Sequence, residues 1–120
     1  MLELTSQAFA TVVVHAYYRR CDAYHHLFLL VTVLSLLFHT TNGRVVGLVD
    51  KSVAHLAFLY VLSDVQRAIN AGHNWLLIYP FCVVCLWFAQ SVFPALAERL
   101  HACLHVVAVV GLHMFLWRLY

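Results

Sequence analysis

Apolar residues run in long blocks along this chain, and polar ones gather at the breaks between them. The blocks Tyr24–Thr41, Val45–Leu62, Trp75–Val92 and Leu100–Leu119 each approach the roughly 20 residues that an α-helix needs to cross a hydrocarbon core. A fifth block, Phe9–Tyr18, is too short to span unless Leu2–Ala8 joins it into one helix over residues 2–18. Otherwise it is an interfacial helix or the remnant of a span. The breaks carry turn chemistry. Arg19, Arg20 and Asp22 precede the first full block, and Thr41-Asn42-Gly43-Arg44 reads as a tight turn, Asn and Gly both tolerating positive φ. Asp64–Asn74 reads as a loop, and Pro94 with Glu98 and Arg99 closes the third block. Pro80 reads as a kink inside a span, which neighbouring helices can absorb.

The pattern predicts an all-α fold: a polytopic transmembrane helix bundle forming one domain over residues 1–120, with four spans and an extra N-terminal helix. Composition agrees. Of 120 residues, 64% are apolar and only 10% charged, too few charges to cover a soluble domain of this size. The net charge of +2 and the absence of any basic cluster beyond Arg19-Arg20 exclude a nucleic-acid partner. The bilayer is the expected solvent and an integral membrane protein the expected location. Oligomers, with itself or with other chains, are compatible with such a bundle. The N-terminus begins with Glu3 and no basic stretch, unlike a signal peptide. Cys82, Cys85 and Cys103 lie within apolar blocks and Cys21 beside a basic pair, a placement that reads as packing rather than a disulfide framework.

The traverses place the polar residues. If the first span runs from face Y to face X, then Ser35 and His39 lie near X. Asp50 and His55 enter from X on the second span, and His101 and His105 enter from X on the last. Ser35 and His39 are spaced i, i+4, as are His101 and His105, so each pair shares one helix face. Two imidazoles one turn apart can grip a single metal ion. His39, His101 and His105 with a water would complete a tetrahedral zinc shell, and Asp50 could reach that water or orient a ligand. An ionisable residue inside a span is costly, so function is its default explanation. His25, His26, His73 and His113 read as interfacial or surface residues with no ligand role. Arg19, Arg20, Arg67 and Arg118 on Y against Arg44, Lys51 and Arg99 on X give no clear orientation.

Ser35-Leu36-Leu37-Phe38-His39-Thr40, Asp50 eleven residues after His39, and His101-Ala102-Cys103-Leu104-His105 with Gly111 beyond resemble the CREST superfamily of membrane hydrolases. That group holds alkaline ceramidases, adiponectin receptors and GPI-anchor-remodelling lipases. The resemblance covers about half the chain and implies roles. His39, His101 and His105 would bind zinc, while Asp50 and Ser35 would contact the zinc-bound water and the carbonyl of a lipid amide or ester. The chain departs from the family in having fewer than seven spans and Leu104 where an aromatic is common. Losing two helices preserves parity, so the last helix still enters from X. The stretch His39-Thr40-Thr41-Asn42-Gly43 with Asp50 is also similar to the haem-ligand region of succinate dehydrogenase anchor subunits, which implies haem b as the alternative cofactor. A third reading is an accessory membrane subunit without catalysis.

Overall fold

A computed structural model describes residues 7–41 and 43–120, the side chain of His39 excepted. The described residues are helical, in the order α1 (Phe9–Tyr18), α2 (Asp22–Thr41), α3 (Arg44–Ser63), α4 (Val65–Asn70), α5 (Ile78–Val92) and α6 (Ala97–Leu119). Short 3₁₀ turns, Asn74–Leu77 and Pro94–Leu96, lead into α5 and α6.

Three helical stretches are long and apolar enough to cross a membrane: Arg44–Asn70, Asn74–Val92 and Pro94–Leu119. The described part of α2, Asp22–Phe38, falls with α1 among the shorter apolar helices. Several hydroxyls inside the helices are turned back onto their own backbones. Thr32 donates to the Phe28 carbonyl at 2.7 Å and Ser52 to that of Leu48 at 2.9 Å, so neither presents an unmet donor to apolar surroundings.

The helix boundaries correct one expectation. The connection Asp64–Asn74 is not all loop: Val65–Asn70 continues as a short helix, and Gly72, at φ 78°, supplies the reversal after it. Pro80 lies inside the helical stretch Asn74–Val92, in the first turn of α5 just after the 3₁₀ turn ends at Leu77. At the α1–α2 corner the chain turns through Arg20 at φ 55°, a left-handed conformation unusual for a side-chain-bearing residue.

α1 packs against α2 and α6, α2 against α3, and α5 against α6. Of the three long apolar stretches, that of α6 is the central one, with 39% of its residues buried against 6% for Asn74–Val92. The tightest packing lies at one end of the bundle. Val12, Tyr24, Leu76, Phe115 and Leu116 are fully buried there, where α2 and α5 begin and α6 ends. Phe81 and Phe88 on α5, with Leu48, Leu56 and Leu59 on α3, turn large apolar surfaces outward, as an apolar solvent would favour. α1 buries Phe9, Val12, Val13 and Ala16 against its neighbours, and the expected helix over residues 2–18 begins on residues that lie outside the described ones.

Candidate functional site

The other end of the bundle is open. α3 and α5 flank a cavity of about 350 Å³, floored by α2 and α6. Its walls are mainly apolar, with Val31, Ala57, Phe58, Val83 and Leu112 among them. Among its polar groups are Ser35 on α2; Asp50, Lys51 and His55 on α3; His101 and His105 on α6. Four of the five side chains singled out from the sequence therefore line one space. The fifth, His39, is carried by α2 one helical turn beyond Ser35, and its side chain lies outside the described residues.

Each helix positions its residue by simple geometry. Ser35 is buried, only 4% exposed. Asp50 lies near the start of α3, held close to α2 by the turn through Gly43 and by the approach of Phe38 to Gly47. His101 and His105 share one face of α6, their ring centroids 4.5 Å apart and the planes at 68°. His105 is buried, and the edge of its contact with the Phe9 ring of α1 has a centroid separation of 5.5 Å. His55 closes the space between α3 and α5. Its Nδ1–H donates to the Lys51 carbonyl at 2.6 Å, and its ring meets Trp87 edge-to-face at 5.0 Å.

Nitrogen chemistry at His101 is set by a residue that sequence patterning did not single out. Gln90, in the last turn of α5, places its carboxamide oxygen 3.3 Å from His101 Nδ1. A carboxamide oxygen only accepts, so Nδ1 carries the hydrogen and Nε2 the lone pair. That is the nitrogen state a metal-ligating imidazole needs. Among the described residues no group of three His, Cys, Asp or Glu side chains forms a metal shell, a set that leaves out His39. The signal that could have found Gln90 is its amide at the end of an otherwise apolar block, eleven residues before His101 across the Pro94 turn. Lys51, the neighbour of Asp50, was read only for orientation and adds a cation to the cavity wall.

The four cysteines are unpaired with one another. Cys21 is buried, as a small apolar residue would be, Cys82 is half-buried, and Cys85 and Cys103 face outward. No family model matches the chain, and no curated protein or solved structure matches it.

Proposed function

We propose that this chain is an integral membrane, zinc-dependent hydrolase of a lipid amide or ester. The observation that carries the reading is that Ser35, Asp50, His101 and His105, brought from three helices, line one cavity with apolar walls. Four spans fit it. α2 has 20 residues, about 30 Å at the helical rise, enough for the hydrocarbon core. α1, with 10 described residues, covers about half that depth and packs inside the bundle.

His39, His101 and His105 would hold the metal. When bound, zinc supplies a Lewis acid that polarises a carbonyl and lowers the pKa of water to about 7. The Asp50 carboxylate would take a proton from the attacking water and return it to the leaving amine or alcohol. The Ser35 hydroxyl would donate to the oxygen on which negative charge develops. Apolar walls would exclude bulk water and accept the acyl chain, which enters from the side between α3 and α5. There the only ring contact spanning the two helices among the described residues is that of His55 with Trp87.

Elemental analysis and an absorption spectrum of the purified protein test this directly. We expect a colourless protein with one zinc per chain, zinc lost in His105→Ala, and hydrolysis of lipid amides or esters lost in Asp50→Asn with zinc kept. Zinc content unchanged by His105→Ala overturns the site. A Soret band in place of zinc assigns haem, and a zinc-loaded protein inert toward every lipid amide and ester removes the hydrolase.

A further inference from the structure

Gln90 makes one hydrogen bond and leaves another unmade. Its oxygen accepts from His101, while its Nε2 is buried with no hydrogen-bond partner among the described residues. A buried N–H₂ without a partner costs about 1–3 kcal/mol, and leucine at the same place would carry no such cost. For the fold alone, then, the amide is the poorer choice. Its oxygen does something leucine could not. In neutral imidazole the hydrogen sits on one nitrogen or the other, and an acceptor fixed against Nδ1 selects the form with its lone pair on Nε2.

The position of Gln90 suits this role. It stands in the final turn of α5, the chain reverses through Pro94–Leu96, and His101 follows in the early turns of α6. α5 and α6 also approach closely at Gly111, where a Cβ would stand 2.7 Å from Tyr79 Cβ. α5 and α6 pack along each other and so hold Gln90 beside His101, and an oriented imidazole beside the buried His105 is what a metal shell requires.

We propose that Gln90 is a positioning residue for the zinc site, holding His101 as the Nδ1–H tautomer so that Nε2 is its ligand atom. This rests on the zinc reading above. Its own test begins without metal. In zinc-free protein labelled with ¹⁵N-histidine, the His101 signals, assigned by their loss in His101→Ala, should report Nδ1–H in the wild type and a tautomer mixture in Gln90→Leu. Zinc affinity, measured by competition with a chelator, should fall on the order of 10–100-fold in Gln90→Leu and be retained in Gln90→Glu, which keeps the acceptor. The zinc-free Gln90→Leu protein should melt no lower than wild type, since the change removes an unpaired donor. A wild-type Nε2–H tautomer, or equal zinc affinity in wild type and Gln90→Leu, overturns the inference while leaving the zinc site standing. A wild type that binds no zinc overturns the reading beneath it, and the tautomer measurement still decides the Gln90 contact.

Discussion

His15 and His113 meet Nδ1 to Nδ1 at 2.7 Å across the seam between α1 and α6, their rings stacked with centroids 4.9 Å apart. The neighbouring hydroxyl gives the pair a direction. Thr11 donates its hydrogen to the Ala8 carbonyl at 2.6 Å, so its oxygen is an acceptor for His113 Nε2 at 2.8 Å. Neutral His113 then has its lone pair on Nδ1, which accepts from His15 Nδ1–H. One proton added to the pair, at His15 Nε2, leaves the N–H···N bond in place. Two protons place N–H against N–H.

Stability should therefore fall with acidity. Burial first, and Arg19 second, hold His15 below its ordinary value of about 6.5, so the folded chain favours the neutral ring. A lowered pKa gives a contribution that is complete above the ordinary value and is lost as pH drops through it. We expect the melting temperature in detergent to decline from about pH 8 to about pH 5, across the range in which imidazole titrates. His113→Gln should flatten that decline. A profile as steep in the variant as in the wild type would show that other histidines carry it.

At the packed end, Asp64 is 5% exposed and collects three donors. The Tyr24 and Tyr120 hydroxyls both donate to Oδ2, the latter at 2.8 Å, and Arg67 reaches Oδ1 at 3.4 Å. Arg67 also donates to the Leu119 carbonyl at 2.9 Å and lies over the Tyr120 ring at 4.4 Å. Burial, then the Asp64 bond, pushes the Tyr120 hydroxyl upward, keeping it a donor. Asp64→Ala strands these donors, and its loss should cost about 3 kcal/mol or more, as breaking a buried charged network does. Tyr24→Phe should cost about 1.5–3 kcal/mol, the range for a bond to a charged group. Because Tyr24 is fully buried and Tyr120 is not, Tyr120→Phe should cost less. Reversible unfolding in denaturing detergent gives the ranking, and an Asp64→Ala protein as stable as wild type would refute the network.

These two clusters mark where sequence reading stops. Hydropathy located the apolar blocks, the parity of the expected traverses grouped Ser35, Asp50, His101 and His105, and these four line one cavity. Parity says nothing about lateral neighbours. His15 and His113 lie 98 positions apart, and only the docking of α1 on α6 joins them. Asp64 looked like a loop residue because its burial is made by Tyr24 and Tyr120, 40 and 56 positions away. Hydropathy also does not register where the 3₁₀ turn before Pro80 gives way to α5.

Two glycines inside helices make the last prediction quantitative. In a helix interior alanine is favoured over glycine by about 1 kcal/mol, so each substitution begins with a gain. At Gly47 the new methyl would meet the Phe38 ring, 2.6 Å from Cε2. That atom is the far edge of a side chain that can swing, so the clash is relieved and Gly47→Ala should be close to neutral. At Gly111 the methyl would stand 2.7 Å from Tyr79 Cβ and 2.9 Å from its Cγ, atoms fixed by the α5 backbone. Relief there requires α5 and α6 to separate, at an overpacking cost of about 1–3 kcal/mol that exceeds the propensity gain. Gly111→Ala should thus be net destabilising, and it should also disturb the cavity, since Tyr79 and Gly111 both line it. Trimming the partner in a Tyr79→Ala, Gly111→Ala double variant should recover part of the loss beyond additivity. Equal melting temperatures for Gly47→Ala and Gly111→Ala, or strictly additive effects in the double variant, would mean that the α5–α6 approach at Gly111 does not set the spacing of these helices.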